Sequence, residues 1–116
     1  MKVSIVLTSY NHERYIKESI ESVLSQTFKD FELIIVDDCS NDNSWEIIES
    51  YTDPRIKSIR NSRNLRTEGV KRAIMNVASG EYIAIHHSDD LWKTDKLEKQ
   101  VKFMEEEPEV SACFTW

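Results

Sequence analysis

The sequence predicts an α/β protein in which a mostly parallel sheet is flanked by helices on both faces. Short apolar runs rich in β-branched residues alternate with longer segments whose apolar residues recur at helical spacing. Because parallel neighbours need long crossover connections, usually helices, the expected order is β-α-β-α-β-α-β-α-β. The length of 116 residues suits one domain, and the sequence contains neither repeats nor linkers.

Five segments have the composition of strands. Residues 3–7 are short and apolar, and the runs 31–38 and 82–90 are apolar until each ends in paired aspartates. Residues 56–59 are a weaker candidate, and residues 110–115 begin a fifth strand. The chain ends directly after that fifth segment without a polar tail, so we expect it to be truncated.

Four segments have the periodicity of amphipathic helices. They are 13–26, 43–51, 70–77 and about 94–107. Asn43 and Glu46 resemble a capping box at the start of the second helix. Gly80 follows the third helix, where a left-handed residue often ends a helix.

Composition argues against several classes of function. The formal charge is −6 and no basic stripe is present, which argues against nucleic-acid binding. No apolar stretch approaches the roughly 20 residues that cross a bilayer, and no export signal is recognisable, so we expect a cytoplasmic protein. Cys39 and Cys113 lack zinc-like spacing and are expected to be reduced thiols. With only two glycines, the chain has neither a Walker A loop nor a G-x-G-x-x-G fingerprint.

Paired aspartates end two of the predicted strands, at 37–38 and at 89–90. One such pair alone is also typical of a solvated turn. Open α/β sheets, however, bind ligands outside the carboxyl ends of their strands, where two pairs would place four carboxylates on one rim. Such a rim suits a divalent cation and the hydroxyls of a nucleotide sugar. Without a glycine-rich loop, a bound pyrophosphate would need a cation held on carboxylates, a role open to Asp89 and Asp90.

Four motifs occur in an order that resembles the family 2 glycosyltransferases. They are the T-S-Y-N turn at 8–11, the S-Q-T-F helix end at 25–28, the V-D-D strand end at 36–38, and the strand from G-E-Y-I to S-D-D at 80–90. The resemblance covers nearly the whole chain. It implies a GT-A fold in which residues 1–116 form the nucleotide-sugar-binding part and the acceptor-binding half is absent.

The resemblance also implies roles for individual residues. Thr8, Tyr10 and Asp38 match residues that hold the base and ribose of a nucleoside diphosphate sugar, usually a uridine one. Tyr10 can stack on a base, and Asp38 can accept from an imide N–H or a hydroxyl. Asp89 matches a contact to the ribose or the sugar. Asp90 matches the ligand of the Mg²⁺ or Mn²⁺ that bridges both phosphates.

Two departures from the family pattern bear on these roles. His87 stands before the S-D-D motif where Asp is common, and either metal ligation or a hydrogen bond to a neighbour is open to it. The stretch 64–72 differs from the usual N-x-G-x-x-x-A-R-N and places Lys71 where Arg is common. Lys71 is expected to meet a phosphate as a point charge, with Arg66 and Arg72 competing for that role.

The function that the resemblance implies is an inverting, metal-dependent glycosyltransferase of polysaccharide biosynthesis. It would carry a sugar from a nucleotide donor, typically a UDP-sugar, to a saccharide or glycolipid acceptor. The catalytic base is expected beyond Trp116. The alternative is a non-catalytic nucleotide-binding or regulatory module, whereas a flavodoxin-like phosphoacceptor domain is disfavoured because its acidic pair follows the first strand. Self-association of the fragment and peripheral attachment at the inner membrane face are further expectations.

Overall fold

A computed structural model describes residues 3–87 and 91–106 of the chain. Within that span four strands alternate with four helices. The strands are β1 (Val3–Ser9), β2 (Phe31–Asp37), β3 (Ile56–Arg60) and β4 (Tyr82–His87), and the helices are α1 (Ile16–Leu24), α2 (Ser44–Glu49), α3 (Thr67–Asn76) and α4 (Lys96–Glu106). The predicted alternation is confirmed for these elements, with helix ends shifted by a turn or less. The fifth strand predicted at 110–115 lies outside the described residues.

The strands form one parallel sheet in the order β3-β2-β1-β4. Val3 of β1 is aligned with Phe31 of β2 and with Tyr82 of β4, so β1 lies at the centre of this order. The chain moves from β1 outward to β3 and then crosses to β4 on the other side. All four strands therefore end at the same side of the sheet, the carboxyl edge, where ligands bind in such folds. The opposite side is the amino edge.

Alternate residues of the central strands pack against helices on both faces. Leu7 and its neighbours on one face meet α1, α2 and α4 through Ile20, Ile48 and Leu97. Val6 on the other face meets α3 through Ala73. All seven residues of β2 are buried, as expected of a strand covered on both faces. The predicted sheet with helices on both faces is confirmed, and no helix within 3–87 and 91–106 is long and apolar enough to cross a membrane.

The predicted capping box of α2 is wrong. The side chain of Asn43 makes no capping hydrogen bond. Asp42 takes this role, because its Oδ1 accepts from the backbone N–H of Ser44 at 2.9 Å and from the Ser44 hydroxyl at 2.6 Å. A carboxylate at this place satisfies an amide that the first turn of a helix leaves without a partner.

The left-handed conformation predicted for Gly80 is also wrong, because no glycine in the described part of the chain has a positive φ. A Cβ at Gly80 would lie 2.5 Å from the backbone nitrogen of Ser4 and 2.7 Å from the carbonyl carbon of Val3. Close approach of two backbones therefore requires glycine here.

A polar cluster joins the strands near the amino edge. The Glu32 carboxylate accepts the hydroxyls of Ser4 at 2.5 Å and Ser79 at 2.8 Å, and Lys57 lies 2.8 Å away. Burial raises the pKa of Glu32, but hydrogen bonds from Lys57, Ser4 and Ser79 outweigh burial and lower the pKa to about 2. The Ser4 hydroxyl also accepts from the N–H of Gly80 at 2.7 Å. The cluster therefore fixes the connection between α3 and β4 onto β1 and β2.

Candidate functional site

The ends of β1 and β2 bring three of the predicted nucleotide-binding residues to the carboxyl edge. Ser9 is aligned with Asp37, and the N–H of Asp38 donates to the Ser9 carbonyl at 2.8 Å. Tyr10 and Asp38 therefore leave neighbouring strands side by side, and such strands lie roughly 5 Å apart. Thr8 precedes them as a half-buried residue of β1.

Tyr10 is 41% exposed at this edge. An aromatic ring that is partly packed and partly open presents a face on which a planar group can stack. Its position directly after β1 places that face next to the start of the loop after β2. The arrangement suits a flat base held beside a carboxylate.

The carboxylate of Asp38 is bound by three donors from the loop between β3 and α3. Oδ1 accepts from Nδ2 of Asn61 at 3.0 Å and from the N–H of Leu65 at 2.7 Å, and Oδ2 accepts from the N–H of Arg66 at 3.0 Å. Burial raises the pKa of Asp38, but the bonds from Leu65, Asn61 and Arg66 outweigh burial, so the pKa lies below its ordinary value. Asp38 is therefore ionised at neutral pH.

An ionised carboxylate has about four acceptor positions, of which these three bonds use three. Oδ2 of Asp38 therefore retains an acceptor position for a ligand N–H or hydroxyl. The ligand role of Asp38 was predicted from the family resemblance, whereas Asn61 and the two backbone donors were not predicted. Backbone donors carry no signature in the side-chain sequence.

Asp37 differs from its neighbour because it is completely buried. Its Oδ1 accepts the Ser40 hydroxyl at 2.5 Å and its Oδ2 accepts the Ser40 N–H at 3.0 Å. Nε of Arg60 lies 3.9 Å from Oδ2. The expectation that all four carboxylates of the two aspartate pairs lie on one rim is therefore wrong for Asp37, whose carboxylate is buried and bound by other parts of the chain.

Hydrogen bonds join the loop after β1 to the loop after β2. The N–H of Asn11 donates to Oγ of Ser40 at 2.9 Å, and the N–H of Asn41 donates to Oδ1 of Asn11 at 2.7 Å. One residue further, the N–H of His12 donates to Oγ of Ser44 at 3.1 Å. The two loops that carry Tyr10 and Asp38 therefore form one connected unit.

The remaining predicted site residues are placed less completely. Lys71 is an exposed residue of α3, the helix that follows the loop bound to Asp38. Of its competitors, Arg72 lies 3.5 Å from Glu68, and Arg66 contributes its N–H to Asp38. No distance therefore distinguishes Lys71 as the phosphate contact.

Asp89 and Asp90 lie outside the described residues. The strand that leads to them, β4, ends at His87, which is aligned with Thr8 of β1. Within residues 3–87 and 91–106, no group of three His, Cys, Asp or Glu side chains is arranged to hold a metal ion. The prediction of a Mg²⁺ or Mn²⁺ site therefore depends on Asp90.

The residues on either side of that segment contact each other. The buried ring of His86 lies 4.5 Å from the ring of Trp92, and Nζ of Lys96 lies 4.7 Å from the Trp92 ring. Trp92 is itself buried. The chain that follows Asp90 is thus packed against the end of β4.

Comparison with known proteins decides the family. The family model described as Glycosyl transferase family 2 matches residues 4–116. The chain belongs to glycosyl transferase family 2. The family resemblance in the sequence motifs is thereby confirmed.

Two glycosyltransferases illustrate the similarity. An uncharacterized glycosyltransferase of Methanocaldococcus jannaschii is 45% identical over 98% of this chain and 41% of its own length. The UDP-Glc:α-D-GlcNAc-diphosphoundecaprenol β-1,3-glucosyltransferase WfaP of Escherichia coli is 43% identical over 90% of this chain and 42% of its own length. The chain therefore spans about two fifths of the length of these relatives.

Solved structures confirm the predicted GT-A fold. The structure of S. aureus TarS in complex with UDP-GlcNAc is similar with a TM-score of 0.81 at 30% identity, over 91% of this chain and 32% of that one. A mannosyltransferase from Pyrobaculum calidifontis in complex with GDP-Man and Mn²⁺ has a TM-score of 0.82 at 22% identity, over 89% and 32%. This second similarity concerns the fold alone.

Proposed function

We propose that the chain is the donor-binding part of an inverting, metal-dependent glycosyltransferase of polysaccharide biosynthesis. The donor is a UDP-sugar, and the acceptor is a saccharide or a glycolipid. The observation that carries the proposal is the placement of Tyr10 beside Asp38, with an exposed ring and a remaining carboxylate acceptor position at the carboxyl edge.

The choice of uridine is supported by chemistry and by similarity. The imide N–H of uracil is a donor that the Asp38 carboxylate can accept, while the ring of Tyr10 stacks on the base. The E. coli relative at 43% identity is named for UDP-Glc, and the TarS structure at 30% identity holds UDP-GlcNAc.

The other residues complete the donor site. Thr8 lines the end of β1 beneath the nucleoside, Lys71 neutralises phosphate charge, and Asp89 contacts the ribose or the sugar. Asp90 holds Mg²⁺ or Mn²⁺ on the diphosphate. When bound, such a cation stabilises the negative charge of the departing diphosphate as a Lewis acid. The base that activates the acceptor belongs to the acceptor-binding part of the enzyme, to which none of these residues is assigned.

The place of action follows from the acceptor. The E. coli relative is named for an acceptor linked to diphosphoundecaprenol, which is a lipid. A cytoplasmic enzyme that uses such an acceptor must meet it at the membrane surface. We therefore include peripheral attachment at the inner face of the membrane in the proposal.

Calorimetric titration of the chain with UDP tests the proposal. With Mn²⁺ we expect saturable binding, and chelation of the metal by EDTA should abolish it. Asp90→Ala should weaken binding by about tenfold or more, because one charged ligand of the cation is lost. Asp95→Ala is the matched control, since Asp95 is a partly exposed carboxylate of the same region that pairs with Lys99 at 3.0 Å.

Two results would contradict the proposal. UDP binding that is equally tight in the presence of EDTA would show that the site does not require a metal. Equal losses in the Asp90→Ala and Asp95→Ala variants would show that Asp90 has no special role. If GDP competed as effectively as UDP at the same concentration, only the uridine preference would be overturned.

A further inference from the structure

We infer that Asp37 and Ser40 are positioning residues that hold Tyr10 in place for the nucleotide, an inference that rests on the proposed function. Neither residue is available to a ligand, because their side chains are 0% and 3% exposed. They act through the backbone of Asn11, the residue after Tyr10. Two sets of contacts and the exposure of Tyr10 support this inference.

The first set fixes the Ser40 hydroxyl. It donates to Oδ1 of Asp37 at 2.5 Å, while the Ser40 N–H donates to Oδ2 at 3.0 Å. Arg60 donates from Nη2 to the Ser40 carbonyl at 3.2 Å. The hydroxyl proton is thereby committed to Asp37, and the lone pairs of Oγ face away from the carboxylate. A hydroxyl that donates to a carboxylate is also polarised into a better acceptor.

The second set transmits this order to the loop after β1. Oγ of Ser40 accepts the N–H of Asn11 at 2.9 Å, and Oδ1 of Asn11 accepts the N–H of Asn41 at 2.7 Å. Asn11 has a φ of 52°, in the left-handed region, which few non-glycine residues occupy although asparagine enters it more readily than most. Such a conformation persists where surrounding contacts hold it, and here the Ser40 hydroxyl supplies one of them.

The third observation concerns Tyr10 itself. With 41% of the residue exposed, packing restrains its ring only in part. The backbone at Asn11 therefore sets where the ring lies relative to Asp38. Loss of the Ser40 hydroxyl should let the loop sample other conformations, of which only some allow the ring to stack on a base.

The amino edge contains a matched control for this arrangement. Ser4 is 0% exposed, and its hydroxyl donates to a buried carboxylate, that of Glu32, at 2.5 Å while accepting the N–H of Gly80 at 2.7 Å. Ser4→Ala therefore removes the same chemical group from the same kind of environment, but far from Tyr10. A general loss of stability should affect both variants, whereas a positioning effect should appear in Ser40→Ala alone.

The test combines two measurements on the wild type and on the Ser40→Ala, Ser40→Thr and Ser4→Ala variants. Amide hydrogen exchange, followed by NMR without ligand, reports the order of Asn11 and Asn41. Calorimetry with UDP and Mn²⁺ reports affinity. In Ser40→Ala we expect exchange at Asn11 to accelerate and UDP affinity to fall, each by about tenfold, the effect of one buried hydrogen bond. Ser40→Thr, which keeps the hydroxyl, should restore both, and Ser4→Ala should change neither.

The possible results distinguish failure of the positioning role from failure of the proposed function. If the wild type binds UDP and the Ser40→Ala and Ser4→Ala variants bind it with equal affinity, the positioning role is overturned while the proposed function is left intact. Unchanged exchange at Asn11 in Ser40→Ala overturns it as well. Failure of the wild type to bind UDP at all contradicts the proposed function and removes the positioning role with it.

Discussion

Glu32 and Lys57 form an ion pair of 2.8 Å between β2 and β3, although the Glu32 side chain is 1% exposed and that of Lys57 is 50% exposed. An ion pair with one partner half in water contributes little by itself. The carboxylate is also bound by the hydroxyls of Ser4 and Ser79 and by the N–H of Ser79. Removing the charge of Glu32 should therefore affect the whole cluster.

Glu32→Gln should lower the free energy of unfolding at neutral pH by up to about 3 kcal/mol. The pKa of Glu32 lies at about 2 in the folded chain against an ordinary value of 4.5, and each unit corresponds to about 1.4 kcal/mol. Because the folded pKa is the lower one, this stabilisation is present above pH 4.5 and is lost as the pH falls towards 2. Urea denaturation across that range, for both proteins, measures the difference. A gap between wild type and variant that stayed constant with pH would contradict the expectation.

Gly80→Ala should destabilise the chain by about 1–3 kcal/mol, the usual cost of inserting a methyl group into packed surroundings. The added Cβ would lie 2.5 Å and 2.7 Å from backbone atoms of Ser4 and Val3, which cannot move aside as a side chain can. Thermal unfolding provides the measurement. An unchanged midpoint would show that the two backbones do not approach as closely as described.

Gly69→Ala offers an informative contrast, because a Cβ there would meet the side-chain amide of Asn61 at 2.7 Å rather than backbone. Alanine is favoured over glycine inside a helix by about 1 kcal/mol, so we expect little net change in stability. Asn61 should nevertheless be displaced from Asp38, which it contacts at 3.0 Å. NMR spectra of the Asn61 side-chain amide would reveal this, and an unperturbed signal would count against it.

Cys39→Asn should stabilise the chain by up to about 1 kcal/mol, because asparagine tolerates the left-handed region better than cysteine. The φ of Cys39 is 63°, and the residue lies between Asp38 at the carboxyl edge and the buried Ser40. Cys39→Val is the opposing control and should destabilise, since a β-branched residue suffers most at positive φ. Chemical denaturation of both variants measures the two shifts. Equal midpoints would contradict the assigned backbone conformation.

Asp38→Asn should loosen the loop between β3 and α3. The carboxylate accepts from Asn61, Leu65 and Arg66, and an amide group would place a donor against one of these donors. We expect a loss of about 1–3 kcal/mol, typical of a buried donor left without an acceptor, together with faster amide exchange at Leu65 and Arg66. Because the pKa of Asp38 is lowered in the folded chain, lowering the pH below the ordinary pKa of an aspartate should loosen the same loop in the wild type. Protection of both amides in the variant would refute this account.

Most of the fold could be predicted from local patterns. The β-branched runs of β1 and β2 and the helical spacing of Ile16 and Ile20 depend only on residues near each other in sequence. The parallel sheet then followed from the alternation of strands and helices. Its carboxyl edge, with Thr8, Tyr10 and Asp38, followed from the motifs that end the strands.

The details in which the structure differs from the sequence predictions depend on contacts between distant parts of the chain. The role of Gly80 is set by Ser4, which is 76 positions away in sequence, and no local pattern reports this contact. The choice of Asp42 over Asn43 at α2 depends on small differences in backbone geometry. The division between Asp37 and Asp38 depends on where β2 ends, since one residue decides whether a side chain is buried or lies on the rim.

The contrast between the buried Asp37 and the rim residue Asp38 has a consequence for how the ligand preference of such a protein can be changed. Asp37 is enclosed by Ser40 and Arg60, whereas Asp38 opens to the rim of the sheet beside Tyr10. Two adjacent residues at the end of β2 therefore differ in what they can do, because one is committed to internal contacts and the other retains an acceptor position at the rim. Under the proposed function, exchanges at Tyr10 or Asp38 should alter the preferred base while Asp37 keeps the two loops joined, which makes the rim positions the starting point for engineering altered donor use.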